Sequence, residues 1–296
     1  MMPDRQKHRQ EVFRFLQKHF PAQEWNVSTP HGTGMETYFV HGTEEGYFVK
    51  VGVPIERYQV MAEIGLTPSI RTCGQLESGP SVIVQPLITA NNPSGREYQE
   101  QLERVAVLIR TMHNDPRVKE ILQPMPSSSH KDAGLRAWNS LLQKWERHKA
   151  QIPAVVEFVE NCLDHLESQI KQFSTAGLVA SHNDICNANW LFASDGNIYI
   201  VDLESMSMDD PAFDLGALLW WYYPPELREQ FLDIAGYPYD EEFQFRMRVR
   251  MALHCLSITL PREQSFDSFD PKQFTEALVD FKAILDEKEN PQGYHT

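Results

Sequence analysis

Five polar side chains that can donate, accept or ligate, His182, Asn183, Asp184, Asn187 and Asn189, fall within the stretch SHNDICNANW, residues 181–190. Apolar runs flank it, AGLVA before and WLFA after. Such runs form buried strands, and a polar cluster set between them must be hydrogen-bonded or pay the cost of burial. Asn and Asp clusters often only shape turns. The spacing H-x-D-x-x-x-x-N allows more: Asp184 is a candidate general base, able to take a proton from an attacking hydroxyl. His182 opens the loop and reads as a brace for it.

Asp195-Gly196 separates the apolar runs NWLFAS and NIYIVD, a strong two-residue hairpin signal. A turn centred there places Ser194 opposite Asn197, Phe192 opposite Tyr199 and Asn189 opposite Asp202. Opposed Cβ atoms lie roughly 4.5–5.5 Å apart, within reach of one small divalent cation, so Asn189 and Asp202 are the expected Mg²⁺ ligands. Mg²⁺ requires six oxygens and usually completes its shell with water and substrate phosphates. The pair therefore implies a nucleotide.

The elements that must position these groups read as a small β-rich part followed by a larger helical part. Residues 6–19 are amphipathic; ETYFVHGTEEGYFVKV predicts a β-hairpin; residues 55–64 predict a helix stopped by Gly65; PSVIVQPL predicts a buried strand. Beyond the loop TANNPSG, apolar periodicity predicts helices over 96–113, 134–148 and 153–174, short strands over 178–203, and helices again from 213. The expected division is 1–87 and 88–296, an α+β class. His113 closes one helix and reads as packed or capping. The four cysteines are widely spaced, without a C-x-x-C pair, which excludes a zinc ribbon or disulfide framework as the organising principle. With 27 Lys and Arg against 41 Asp and Glu, a net charge of −14, a nucleic-acid partner is not expected. No run approaches a membrane span or signal peptide, so a soluble, cytoplasmic protein is the expectation. The acidity suits a cationic small molecule.

HNDICNAN, then IVDLES, then DDPAFDLG, in this order and spacing, resemble the aminoglycoside phosphotransferase and choline kinase group of protein-kinase-like enzymes over most of residues 30–220. The resemblance implies a bilobal kinase-like fold, ATP and Mg²⁺ as cofactors, and phosphoryl transfer to a hydroxyl of a small molecule. By position, Asp184 is the base, Asn189 and Asp202 bind the metal, and Asp214 braces the catalytic loop. Gly32 and Gly34, in PHGTGMETYFV, match the nucleotide loop. Lys50 matches the strand lysine that contacts the phosphates, and Glu56 its ion-pair partner. The adenine is expected at backbone groups near Gln85 to Leu87. Asn183 stands where aminoglycoside enzymes commonly carry glycine, and HND is more like choline and ethanolamine kinases.

Acceptor readings stay open between an amino alcohol and an aminoglycoside, another antibiotic, a sugar or homoserine. Trp220, Trp221, Tyr222 and Tyr223 could form an aromatic box for an ammonium group or pack the core. Glu204 could face the acceptor or lie at a rim. A reading of another class is a kinase-fold protein without catalysis, acting as a binding or structural module.

Overall fold

The computed structural model describes residues 8–28, 36–43, 45–261 and 268–294. In chain order these form α1 (Arg9–His19), β1 (Asn26–Val27), β2 (Glu36–His41), β3 (Gly46–Val51), α2 (Ile55–Glu63), β4 (Thr72–Gln75), β5 (Ser81–Pro86) and β6 (Ala90–Asn91). There follow α3 (Gly95–Glu100), α4 (Leu102–Asn114), α5 (Pro116–Ile121), α6 (His130–His148), α7 (Val156–Ile170), β7 (Val179–Ser181), β8 (Trp190–Ala193), β9 (Ile198–Ile200), β10 (Ser207–Asp209), α8 (Pro211–Tyr222), α9 (Pro225–Ala235), α10 (Glu241–Ser257) and α11 (Pro271–Leu285).

The chain divides into two compact units, Met1–Asn92 with Trp190–Glu204, and Pro93–Asn189 with Ser205–Thr296. The division expected from the sequence is contiguous, and the hairpin β8–β9 departs from it. Long-range bonds account for this: β6 pairs with β8, and the Ile200 N–H donates to the Leu66 carbonyl at 2.7 Å.

The first unit holds an antiparallel sheet ordered β1-β2-β3-β5-β4. Because strand side chains alternate between faces, Tyr38, Val40, Tyr47, Val49, Val51, Val82 and Val84 share one face and bury it against Val12 and Leu16 of α1. The opposite face carries Thr37, Lys50 and Ile83 in register across three strands, with Phe48 and Gln85 beside them. The expected helix over 55–64 is α2, and it stops as the glycine signal predicts. Gly65, at φ 76°, donates to the Ala62 carbonyl, and Leu66 donates to that of Met61. These two bonds close a left-handed C-terminal cap that glycine adopts without strain.

The β8–β9 register differs from the expected one by a residue: Trp190 pairs with Ile200, Leu191 with Tyr199 and Phe192 with Ile198. A two-residue turn needs positive φ at both Asp195 and Gly196, but only Gly196 has it, at 87°. The connection is instead Ser194-Asp195-Gly196, closed by Gly196 N–H to the Ala193 carbonyl (2.9 Å) and Ala193 N–H to the Asn197 carbonyl (2.8 Å). Its form is a turn followed by a bulge with glycine in the left-handed position. Asn189 and Asp202 are therefore not an opposed pair of this ladder.

The second unit is mainly helical, with β7 and β10 as an antiparallel pair. The single helix expected over 96–113 is two, because Gln101 leaves helical geometry (φ −105°, ψ 19°). Ser94 and Glu97 cap α3 reciprocally. Asp210 caps α8, accepting the Ala212 N–H at 2.9 Å, with Pro211 at the first helical position where its missing donor costs nothing. The helix packs on α10 at Gly216, where a Cβ would stand 2.9 Å from the Met247 carbonyl oxygen. Gly216→Ala is expected to force these backbones apart and lower stability by about 1–3 kcal/mol, measured as a fall in the unfolding midpoint in urea.

Candidate active site

In the second unit the loop that follows β7 hangs on one buried carboxylate. Asp214, 1% exposed, accepts the backbone N–H of His182 at Oδ2 (2.7 Å) and that of Asn183 at Oδ1 (2.9 Å). His113 Nε2 lies 3.1 Å from the same Oδ2. An ionised carboxylate can only accept, so Nε2 carries a proton, and Nδ1 lies 2.7 Å from the Tyr237 hydroxyl. Burial opposes ionisation of Asp214, but the hydrogen bond and charge of His113, together with His182, outweigh it and hold the carboxyl below its ordinary value.

Pinned in this way, the backbone at Asn183 is left-handed, φ 62°, a conformation that asparagine tolerates better than most non-glycine residues. Its amide reinforces the bend by donating to the Ser207 hydroxyl (2.8 Å) and the Ser205 carbonyl (3.1 Å). Downstream, the Asn189 amide donates to the Asp184 carbonyl (2.7 Å) and to Asp184 Oδ2 (3.1 Å). Asn189 thus spends its donors on Asp184, and its Oδ1 is an acceptor atom. The Asp184 oxygen that meets Asn189 is Oδ2. The structure brings Asp184 and Asn189 together, and Asp214 to the backbone of His182.

In the first unit, Lys50 is 4% exposed. Its ammonium donates to the Tyr58 hydroxyl (3.0 Å), to both Glu204 oxygens (3.0 and 3.1 Å) and to Asp202. Burial alone would depress the Lys50 pKa, but Tyr58, Glu204 and Asp202 outweigh it and the net shift is upward. Glu204 is shifted upward as well, by burial first and by Asp202, against the pull of Lys50. Asp202, at φ 65°, holds a left-handed conformation that is costly for a non-glycine residue and concentrates at functional sites.

Several expectations are corrected. Glu56 is exposed and is not among the Lys50 partners; Tyr58, two positions on, is the α2 residue that meets the ammonium. Positions two apart on a helix point to nearly opposite sides. Glu204 belongs to Lys50 and is not free to face an acceptor. Trp220 and Tyr222 are 8% and 6% exposed and Tyr223 is fully buried, so among these aromatics only Trp221 keeps intermediate exposure. The cluster mostly packs the core, as successive helical positions must when a helix is enclosed. Tyr222 stacks on Tyr98, centroids 4.2 Å apart, and its hydroxyl accepts the Asn187 N–H at 2.9 Å. The Leu87 N–H donates to the Gly46 carbonyl at 2.9 Å, and the side-chain amide of Gln85 donates to the Pro68 carbonyl at 2.6 Å. Gly32 and Gly34 lie outside the described residues.

Sequence reasoning missed the charged support beneath the loop. Asp209 accepts from Arg250 (2.9 Å) and Arg136 (2.7 Å), and Asp210 pairs with Arg246 (3.2 Å). The available signal was Arg246 and Arg250 one turn apart in a largely apolar helix, since buried arginines require counter-charges. Among the described residues no cluster of three or more His, Cys, Asp or Glu could hold a metal. The chain offers Asn189 and Asp202 as oxygen donors, with Asp202 48% exposed at its side chain.

A family model described as "Phosphotransferase enzyme family" matches residues 29–246. Among solved structures, choline kinase LicA from Streptococcus pneumoniae is 17% identical, with a TM-score of 0.62 over 93% of this chain and 99% of that one. Spectinomycin phosphotransferase in complex with ADP and spectinomycin is 15% identical, with a TM-score of 0.63 over 94% and 93% of the two chains. A structure described as the GDP and kanamycin complex of APH(2")-IIia is 13% identical, with a TM-score of 0.64 over 95% and 99%. These likenesses show a kinase-like α+β fold.

Replacing Asp214 by Asn leaves the loop one acceptor short and His113 Nε2 without a carboxylate partner. A loss of about 3 kcal/mol is expected, as for breaking a buried pair, measured by urea unfolding. Because the native Asp214 pKa is lowered, its contribution is present above the unfolded value and is lost as pH falls through the native one. The acid limb of the stability profile is expected to flatten in Asp214→Asn.

Proposed function

The chain belongs to the phosphotransferase enzyme family, and on that premise we propose that it moves the γ-phosphate of ATP to a hydroxyl of a small molecule, an amino alcohol such as choline or ethanolamine. The observation that carries this reading is the pairing of Asp184 with Asn189. One hydrogen-bonded turn holds a carboxylate oxygen for a proton and an amide oxygen for a cation.

The residues fit Mg²⁺. Asn189 Oδ1 and Asp202 would hold it, with nucleotide phosphates and water completing the shell. Bound there, Mg²⁺ and ATP supply the transferable phosphoryl group and neutralise its charge. Lys50 Nζ, kept cationic by its carboxylate neighbours, steadies the phosphates. Asp184 Oδ1 orients the acceptor hydroxyl and takes its proton, while Asn189 fixes Oδ2 so that the carboxylate cannot rotate away. Asp214 holds the loop from behind through the His182 and Asn183 amides. A cationic acceptor suits a chain of net charge −14; with the aromatic cluster largely in the core, carboxylates rather than a cage of rings would meet its charge.

The test is an ATP-consumption screen over choline, ethanolamine, aminoglycosides, macrolides, thiamine and sugars. Turnover on an amino alcohol is the expected result. Turnover only on an uncharged sugar would overturn the acceptor assignment, and a lack of thermal stabilisation by Mg-ATP would favour a non-enzymatic module. Asp184→Ala should lower kcat by about 10²–10⁴-fold, the usual contribution of a general base, while Mg-ATP still binds. Lys50→Met should weaken Mg-ATP binding by roughly tenfold or more, the worth of a charged hydrogen bond.

A further inference from the structure

The hydroxyl of Tyr58 sits at a junction that the expected role of Lys50 does not by itself require. It accepts from Lys50 Nζ (3.0 Å) and from the Leu203 N–H (3.3 Å), and it donates to Glu204 Oε1 (2.9 Å). The neighbouring Arg57 donates from Nη1 to the carbonyls of Leu203 (2.7 Å) and Glu204 (2.9 Å). Two consecutive residues of α2 thus grip the backbone immediately after Asp202, which is itself left-handed at φ 65°. A phenol is suited to this place because one oxygen both donates and accepts. A carboxylate there could only accept, and would face Glu204 with a like charge.

Resting on the reading of Lys50 and Asp202 given above, we propose that Tyr58 is a positioning residue that couples the phosphate-contacting lysine to the metal-binding aspartate, with Arg57 fixing the same turn. Helix α2 then sets two groups at once. Tyr58 orients the ammonium directly, and through Leu203 it holds the backbone that follows the left-handed Asp202. Arg57 bonds to the carbonyls of the turn rather than to the ammonium, so its influence falls mainly on the metal side.

The experiment measures Mg-ATP affinity, the Mg²⁺ concentration giving half-maximal rate, and both Michaelis constants for wild type, Tyr58→Phe and Arg57→Met. Tyr58→Phe is expected to weaken Mg-ATP binding and raise the Mg²⁺ requirement, each by roughly five- to tenfold, the loss of one or two net hydrogen bonds. The acceptor KM stays as in wild type. Arg57→Met raises the Mg²⁺ requirement with a smaller change in nucleotide affinity. A general structural defect would instead lower kcat through a smaller active fraction and leave all these constants unmoved, and that result overturns the coupling. If Tyr58→Phe does not fold, Arg57→Met decides, and an unchanged Mg²⁺ requirement there overturns it. Wild-type protein that binds no Mg-nucleotide sinks the functional reading and the coupling together. Wild type that binds and loses binding in Lys50→Met, beside a Tyr58→Phe variant that behaves as wild type, sinks the coupling alone.

Discussion

An ammonium group taken almost wholly out of water must be surrounded by counter-charges, and this requirement at Lys50 organises the first unit. The desolvation cost of a buried charge is several kcal/mol unless good hydrogen bonds and opposite charges offset it. Two carboxylates and a phenol perform this at Lys50. Period-two alternation puts Lys50 on the sheet face opposite α1. Once there, it draws the Asp202–Glu204 segment to the sheet, although that segment is distant in sequence. The result is a hairpin that belongs by contacts with the N-terminal strands rather than with its chain neighbours.

The second unit repeats the principle with the signs reversed. Asp214 is a buried anion, and its lone pairs are filled by two consecutive backbone amides and a histidine. Such an arrangement converts the cost of burial into rigidity for a loop that carries little regular structure of its own. Beneath it, Asp209 and Asp210 are neutralised by arginines of α6 and α10. Each unit therefore holds a segment of the candidate site by satisfying one buried charge.

Much of this was legible in the residues. Strand alternation in β2, β3 and β5 and the stop of α2 at Gly65 follow from periodicity and turn chemistry, and the tie between Asp214 of α8 and the loop at His182 was legible only through the family resemblance. The failures have physical causes. The hairpin register slipped because Asp-Gly also suits a three-residue connection, and composition alone does not say which φ angles are positive. Glu56 was expected because the resembling enzymes pair the strand lysine with a helix glutamate; the carboxylates come instead from Asp202 and Glu204, contacts of long sequence separation. The aromatics of α8 advertised a cation site, yet large rings on an enclosed helix have mainly one place to go. His113 was recognisable as a helix-end residue, but its bond to Asp214 joins positions far apart in the chain.

The left-handed backbone at Asn183 bears on how chains of this kind are sorted. Glycine and asparagine are among the residue types that enter that conformation most readily, so stereochemistry narrows the position to such residues before any acceptor is considered. A grouping of sequences by the middle letter of the His-x-Asp triplet would partition them by how each loop meets its bend. Asn183 also cross-links the loop to Ser205 and Ser207, which glycine would not do, so exchange between the two letters changes stiffness more directly than it changes specificity.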